Sequence, residues 1–354
     1  MITIDFLEIW NNIWPYLIAI FMFLLLIVIH EFGHFIAAKI CKVRVNEFAV
    51  GFGPSLFKKK IGETTYALKL VPLGGYCAME GEDEESADDR AFCKKSPVKR
   101  LFIVANGAIF NLILGLIIVG ISLSIGSGDL LGTTTVAKFE ETAVSSQHGL
   151  EVGDKIIKVG SRRVFTDRDL LYTFTNVENG ELDLVVKRNG EKVALENVKF
   201  ATEEVDGINV VKLDFWLLGE KKTFLNLVEH TFTTTFSYCR IVWFSFIDLI
   251  SGKYGISAMS GPVGITATVG AAAKQNLLNI LPIMALITVN LGIFNLFPLP
   301  ALDGGRIMFI LFEIITRKPV AQKYEGLVHT IGLVLLLALM IIITGKDIIA
   351  LFVG

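Results

Sequence analysis

Long uncharged stretches dominate the pattern of hydrophobic and polar positions along the chain. A helix needs about 20 mainly apolar residues to cross the hydrocarbon core of a bilayer. Four stretches meet this requirement, at residues 16–38, 101–124, 277–297 and 327–344. The first is too long for a signal peptide and lacks a basic leader and a cleavage site, so we expect it to remain in the mature protein. The pattern predicts a polytopic α-helical membrane protein with four transmembrane helices.

A fifth stretch, at residues 224–249, is also long and aromatic enough to cross. It contains Glu229, Arg240 and Asp248, and charged side chains are costly at membrane depth. Its apolar positions alternate with threonine, serine and charged positions. We interpret this stretch as an amphipathic helix that lies on the outer surface of the membrane.

Two regions outside the spans have patterns of folded soluble structure. Residues 64–71 alternate apolar and polar positions and lead into PLGG at 72–75, which predicts a strand and a turn. An acidic segment at residues 80–89 follows, and we interpret it as a solvated loop. Residues 133–200 predict a compact α+β module.

The elements of this module follow from local signals. They are a short helix at 143–148, a strand at 154–159, a helix from the capping pair Thr166 and Asp169 to Asn176, and a hairpin of 182–187 and 192–196 around Asn189-Gly190. Their order, with the sequence GLEVGDKII at 149–157, resembles a PDZ domain. Such domains capture extended peptides by adding a strand to a sheet edge.

Composition supports a protein that is part membrane and part soluble. The hydrophobic share is 53%, the mean hydropathy is +0.59, and 19% of residues are charged, against about 25% in ordinary soluble domains. The net charge of −2 leaves no basic footprint for nucleic acid, so nucleic-acid binding is excluded. The four cysteines have no CxxC spacing, and we expect ordinary reduced thiols.

The distribution of lysine and arginine predicts the orientation in the membrane. The tail before the first span has none, whereas residues 39–100, between spans one and two, are rich in both. Residues 305–326 add Arg306, Arg317, Lys318 and Lys323. Because positive loops stay in the cytoplasm, these two connections are predicted to be cytoplasmic. Both termini and residues 126–276 are then extracytoplasmic.

The sequence HEFGH at residues 30–34 carries the candidate chemistry. In HExxH the two histidines, here His30 and His34, share one helix face and can hold one zinc ion, and the glutamate, here Glu31, can act as a general base. Only these three residues interrupt the apolar run from 17 to 38, and polar groups in a span are costly unless buried against partners or metal. The alternative is a pair of satisfied histidines packed between helices.

A hydrolytic zinc site has three protein ligands, so one ligand is missing from the motif. Asp303 is the carboxylate nearest the cytoplasmic end of the third span, and two prolines break the helix just before it. With four spans, His34 and Asp303 lie on the same side of the membrane. If residues 224–249 also crossed, the two would be about 20 to 30 Å apart, which excludes a shared metal. On its own, Asp303 could equally be a helix-end acid.

These motifs together resemble the site-2 protease family, in particular the bacterial regulator of sigma-E protease type. The match covers HEFGH, NLFPLPALDG at 295–304, and the shorter sequences GFGP at 51–54, PLGGY at 72–76 and GPVG at 261–264. One departure is Ala108, where the family usually has proline before the asparagine of the second span. The resemblance therefore does not predict the local shape of the second transmembrane helix.

The resemblance implies a zinc-dependent endopeptidase of the cell membrane that cleaves transmembrane segments of other proteins, such as anti-sigma factors or signal-peptide remnants. It implies that His30, His34 and Asp303 bind Zn²⁺, that Glu31 is the catalytic base and that Asn295 contacts the substrate backbone. It further implies a membrane-associated β-hairpin around residues 64–71, an active site near the cytoplasmic face, contact with the lipid bilayer, and capture of peptide or substrate ends by the PDZ domain.

The resulting domain organisation has the following segments. They are a tail and the first transmembrane helix (1–38), a cytoplasmic loop with the β-hairpin and the acidic loop (39–100), the second transmembrane helix (101–125), the PDZ domain (126–212), the amphipathic helix and a linker (213–276), the third transmembrane helix (277–304), a cytoplasmic loop (305–326), and the fourth transmembrane helix with the C-terminus (327–354).

Two other classes of protein remain as alternatives. A membrane-tethered PDZ adaptor with a vestigial metal site would be expected to show an altered Glu31 or an altered ligand, but all are intact. A zinc transporter or chaperone would show several histidines or aspartates over more spans. His329 is the only further histidine in a span, and we expect it to be packed or interfacial.

Overall fold

The computed structural model describes residues 6–82, 84–126, 128–174, 177, 180–205, 208–253, 255 and 259–353. The chain divides into two compact units. The first unit comprises Met1–Ile118 and Met259–Gly354, and the second comprises Val119–Ala258.

The α-helices of the described residues are, in chain order, α1 (Phe6–Ile40), α2 (Pro97–Ile125), α3 (Asp167–Thr173), α4 (Phe224–Ile250), α5 (Pro262–Gln275), α6 (Ile280–Leu296), α7 (Asp303–Thr316) and α8 (Gln322–Val353). Short 3₁₀ turns at Phe92–Lys94, Ser145–His148 and Leu277–Asn279 accompany them.

The β-strands of the described residues are β1 (Val45–Ile61), β2 (Thr64–Met79), β3 (Leu130–Phe139), β4 (Lys155–Val159), β5 (Arg162–Arg163), β6 (Glu181–Arg188), β7 (Glu191–Lys199), β8 (Thr202–Val205), β9 (Ile208–Val211) and β10 (Phe215–Lys221).

Four described helices are long and apolar enough to cross a membrane. They cover Ile13–Ile40, Pro97–Ile125, Leu277–Leu296 and Lys323–Ala350. Four helices of membrane length are therefore present as predicted, and α4 is not among the helices that qualify. The third was predicted to run to residue 304, which is wrong, because the chain leaves the helix at Leu296, before the two prolines, and Asp303 begins α7. The second span is continuous through Ala108, which is fully buried, so the absence of the family's proline leaves this helix unbroken.

The sheet of the first unit is formed by two long, bent strands. Residues 45–50 of β1 face residues 75–79 of β2 on one side and residues 65–68 on the other, and residues 55–61 face 64–69. The strand predicted at 64–71 is thus confirmed, but the turn predicted at PLGG is wrong. The chain reverses at Gly62-Glu63, and PLGG lies within β2, where Gly74 at φ 102° lets the strand bend rather than turn back.

Two apolar clusters hold the first unit together. One joins α1 to α5 through Ala19, Met22, Val269 and Ala273. The other packs the end of α1, the sheet, α2 and α7 around residues that include Ile103. The predicted linker at 213–276 thus contains the helix α5, and the predicted loop at 305–326 is largely the helix α7. Both helices have apolar residues that pack into the unit, which explains why they are ordered.

The acidic segment predicted as a solvated loop is irregular, yet it is not free of partners. The carboxylate of Glu80 accepts hydrogen bonds from Asn46 at 2.8 Å and from Ser86 at 2.6 Å. The carboxylate of Glu82 pairs with Arg306 at the start of α7. The segment is therefore fastened to the sheet and to a helix.

The second unit contains a sheet of strand order β10-β3-β4-β6-β7, with β5 paired to β4. Leu150, Ile156, Leu170 and Phe174 are among its fully buried core residues. The sheet includes β10, so the module extends beyond the predicted end at residue 212. Strand β10 pairs with β3, and its Phe215 lies in the same apolar core as buried residues of β3, β4 and β6. This packing explains why β10 belongs to the sheet.

Short sequence motifs in the second unit correctly predicted a helix start and a hairpin turn. The capping box of Thr166 and Asp169 is present at the start of α3, although the predicted end at Asn176 lies outside the described residues. Asn189 and Gly190 adopt φ values of 51° and 92° between β6 and β7, as a tight hairpin requires. The short helix predicted at 143–148 is the 3₁₀ turn Ser145–His148.

Helix α4 is fastened to the module by two buried carboxylates. Asp169 accepts from Ser237 at 2.8 Å and from Arg240 at 3.1 Å. Asp248 accepts from Arg162 at 2.6 Å and from Tyr172 at 2.9 Å. Two of the three charges that argued against a membrane span, Arg240 and Asp248, thus serve as contacts between α4 and the module.

Candidate metal centre

The two histidines of HEFGH lie one turn apart on α1 and point to the same place. Their Nε2 atoms are 3.3 Å apart, and both side chains are buried. Helix α2 crosses α1 closely at this point. A Cβ atom at Gly107 of α2 would lie 2.3 Å from Nε2 of His34. Glycine is therefore required at position 107 to leave room for the imidazoles.

Asp303 completes a cluster of three donor atoms. Its Oδ2 atom lies 3.2 Å from Nε2 of His30 and 3.3 Å from Nε2 of His34. Within the described part of the chain, this is the group of three that could hold a metal ion. Oδ2 is buried and, among the described residues, receives no hydrogen bond of acceptable geometry. A buried carboxylate oxygen in this state is suited to bind a cation.

The spacing of the three atoms fits zinc. Two ligand atoms bound at about 2.0 to 2.1 Å to a tetrahedral zinc ion are about 3.3 Å apart. All three separations in the cluster are 3.2 or 3.3 Å. Two imidazole nitrogens and one carboxylate oxygen are also a donor set of catalytic zinc sites, which keep a fourth position open. The residues present therefore fit Zn²⁺.

Neighbouring groups orient the imidazoles. Nδ1 of His34 lies 3.0 Å from the carbonyl oxygen of Ile103, so Nδ1 carries the proton and Nε2 presents its lone pair. Nδ1 of His30 lies 3.2 Å from the side-chain amide of Asn111, whose Oδ1 has no partner among the described residues. Exchanging the O and N positions of that amide satisfies both groups.

Sequence reasoning missed the contact made by Asn111. The sequence signal that could have revealed it is an asparagine inside the apolar run 101–124, because a polar side chain in such a run needs a partner. The structure buries Asn111 fully. The contact joins residues 81 positions apart, and local patterns do not show such contacts.

Glu31 lies between the donor cluster of His30, His34 and Asp303 and the bent strand β2. Its carboxylate lies close to the backbone amide of Cys77. A Cβ atom at Gly75 would lie 3.4 Å from Cγ of Glu31. Burial raises the pKa of the Cys77 thiol, and Cys77 is not part of the donor cluster. Residues 75–79 therefore form one wall of the site.

A cavity of about 600 Å³ contains the cluster and is open on one side. His30, Glu31, His34 and Asp303 line it, and its other walls are contributed by Tyr76, Cys77, Ala78, Met79, Glu82, Val104, Ala301, Leu302, Arg306, His329, Thr330 and Leu333. Asn295 is buried near the end of α6 but does not line this cavity.

Comparisons with known proteins agree with this geometry. The model of peptidase family M50 matches residues 18–339. A Clostridium perfringens protein named as a zinc metalloprotease is 36% identical over 94% of this chain and 97% of its own length. A similarly named protein of Clostridium acetobutylicum is 36% identical over 94% and 96%. The zinc metalloprotease RasP of Oceanobacillus iheyensis is 29% identical over 94% and 98%.

Two imidazoles on a helix of membrane length and a carboxylate at the start of α7 place the protein in the class of membrane zinc metalloproteases. The chain belongs to peptidase family M50, the site-2 protease family. It is a metalloprotease of the membrane, and Zn²⁺ is its cofactor.

Proposed function

We propose that the protein is an intramembrane endopeptidase that cleaves transmembrane segments of other membrane proteins. One observation carries the proposal. The donor atoms of His30, His34 and Asp303 converge within 3.3 Å of one another in the cavity that Glu31 also lines. Both histidines and Glu31 lie on a helix of membrane length, and Asp303 is the first residue of the shorter helix α7. The intact donor set and base argue against an adaptor with a vestigial site.

In this proposal His30, His34 and Asp303 hold the zinc ion. Zinc supplies Lewis-acid chemistry, which polarises the scissile carbonyl. Glu31 takes a proton from the attacking water and passes it to the nitrogen of the leaving amine. Glu31 and Cys77 of strand β2 line the same cavity, so the strand limits where the Glu31 carboxylate can lie.

The bent strand β2 is suited to hold the substrate. A transmembrane helix hides its amides in its own hydrogen bonds, so it must unwind before cleavage. Residues 75–79 pair with residues 45–50 on one side and border the cavity of the site. An extended substrate can add to such a strand and replace its lost backbone bonds. The proposed contact between Asn295 and the substrate backbone rests on the family resemblance.

The proposed location is the cell membrane, with both termini extracytoplasmic and the active site near the cytoplasmic face. The positive loops support this orientation. The sheet module of the second unit is then extracytoplasmic and PDZ-like, and it binds substrate ends or excludes bulky ectodomains. Its element order supports the likeness to PDZ domains. Helix α4, with exposed Phe232, Phe236 and Trp243, is proposed to lie at the outer membrane surface.

The test replaces Glu31 with glutamine in the purified, lipid-reconstituted protein. We expect Glu31→Gln to abolish cleavage of a model single-span substrate while zinc stays bound, because the residue acts on protons rather than on the metal. His34→Ala and Asp303→Ala should lose both zinc and activity. Glu63→Gln, at the hairpin turn, is the matched control and should cleave normally. Cleavage by Glu31→Gln would refute the proposal.

A further inference from the structure

The loop that presents Asp303 is irregular and has an unusual backbone. Residues 297–302 connect α6 to α7 and include two prolines. Ala301 has φ 69°, a left-handed conformation that is costly for a residue with a Cβ atom. Such a conformation persists only where surrounding contacts enforce it. Asp303 follows two residues later, so these contacts also determine where its carboxylate lies.

Helix α8 supplies such contacts. The backbone amide of Ala301 donates a hydrogen bond to Nδ1 of His329, at 3.0 Å. One turn further along α8, a Cβ atom at Gly332 would lie 2.2 Å from Cβ of Pro300. The loop therefore lies directly against α8, with one polar contact and one close apolar contact.

The ring of His329 also touches the start of α7. A Cβ atom at Gly305 would lie 3.2 Å from Cε1 of His329, and the ring of Phe309 has its centroid 6.0 Å away. Gly305 lies in the helix turn that begins with Asp303, and Phe309 lies in the next turn. His329 thus lies between the loop and the helix that together carry the third proposed ligand.

We infer that His329 is a positioning residue, which holds Ala301 in its left-handed conformation and thereby directs Asp303 towards His30 and His34. The inference rests on the proposed function of Asp303 as a zinc ligand. Because Nδ1 accepts the amide proton of Ala301, the imidazole acts here as a neutral acceptor with its proton on Nε2. His329 is not part of the donor cluster.

Two substitutions at position 329 separate hydrogen bonding from packing. In His329→Asn the side-chain oxygen occupies about the place of Nδ1 and can accept from Ala301. In His329→Leu the volume is similar but no acceptor remains, which leaves the amide without its partner. Tyr324→Leu, at an exposed position of the same helix, is the matched control.

Zinc affinity is measured by competition with a fluorescent chelator, and kcat and KM are measured on a model single-span substrate. Loss of an orienting contact in a metal site typically costs about 10- to 100-fold in affinity or activity. We expect a loss of this order in zinc affinity and kcat for His329→Leu, with KM within about twofold. His329→Asn should recover most of it.

A Co²⁺-substituted sample gives a readout independent of catalysis. The visible spectrum should change in His329→Leu and return towards wild type in His329→Asn, because the orientation of the Asp303 carboxylate changes. If His329→Leu does not fold, Gly332→Ala tests the same loop by pushing on Pro300 from α8, and it should also weaken zinc binding.

Several outcomes would overturn the inference. Wild-type zinc affinity in His329→Leu is one, and equal losses in the asparagine and leucine variants is another. Failure of the proposed function is distinguishable. In that case Asp303→Ala keeps its zinc or the wild-type protein does not cleave. If only the inference fails, Asp303→Ala still loses its zinc, the wild-type protein still cleaves, and only the variants at positions 329 and 332 depart from the expected results.

Discussion

At the scale of single residues, the orientation of each imidazole depends on a group that does not touch the metal. Ile103 offers a backbone oxygen to His34, and no substitution removes it. Asn111 offers a side chain to His30, at 3.2 Å. The contact of His30 is therefore the one that a variant can test.

We predict that Asn111→Ala lowers zinc affinity by about 10- to 100-fold, because His30 loses the partner that keeps its proton on Nδ1. Asn106→Ala is the matched control on the same helix, since the Asn106 side chain donates to Phe102 within α2 and does not touch the histidines. Chelator competition measures both. Equal zinc affinities in the two variants would contradict the role of Asn111.

At the scale of elements, the stability of the contact between α4 and the module should depend on pH. Burial alone would raise the pKa of Asp248, but hydrogen bonds from Arg162 and Tyr172 outweigh it and hold this pKa below its usual value. A carboxyl group with a depressed pKa stabilises the fold above its unfolded pKa, about 3.9, and the contribution is lost as the pH falls through the folded pKa.

We therefore predict that Asp248→Asn destabilises the protein by about 1.5 to 3 kcal/mol at neutral pH, since Arg162 loses a charged acceptor. Thermal midpoints followed by tryptophan fluorescence should show a constant gap to wild type from about pH 8 to pH 5, which narrows below about pH 4. Glu191→Gln, on an exposed hairpin, is the control. If the difference in thermal midpoint between wild type and Asp248→Asn stayed the same in strong acid, the ionised carboxylate of Asp248 would not be what holds α4 to the module.

The elements also show where sequence patterns suffice and where they do not. The four spans, the HExxH spacing, the capping box and the Asn189-Gly190 hairpin follow from short-range rules, and all were predictable. The bend of β2 at PLGG was not, because pairing with residues 45–50 competes with the local tendency to turn. The contacts of Asn111 and His329 join residues that are far apart in the sequence. The hydrophobic pattern of a single helix does not predict such contacts.

At the scale of the whole molecule, the orientation in the membrane can be tested directly. We predict that single cysteines at Asn189 and Ser96, in a background without the four native cysteines, label from opposite sides. Both positions are exposed. Asn189→Cys should react with an impermeant maleimide in intact cells, and Ser96→Cys only after permeabilisation. Labelling of both from the same side would refute the proposed orientation.

To test how the module contributes to substrate choice, a deletion must remove the whole sheet of the module. Removing only residues 133–200 would leave β10 without its partner β3. Removing residues 130–221 takes out the whole sheet, and a flexible linker can then join Asp129 to Lys222. Arg240→Gln and Asp248→Asn are added because the deletion removes the partners of both charges, Asp169 and Arg162.

We predict that this deletion spares the chemistry and loosens substrate choice, because His30, Glu31, His34 and Asp303 all lie in the first unit. If the module excludes bulky ectodomains, the deleted protein cleaves untrimmed precursors that the intact protein spares. If it captures substrate ends, KM for trimmed substrate rises and kcat changes little. The control carries only the two substitutions on α4. Loss of all activity in a folded, zinc-loaded deletion would show instead that the module maintains the active conformation.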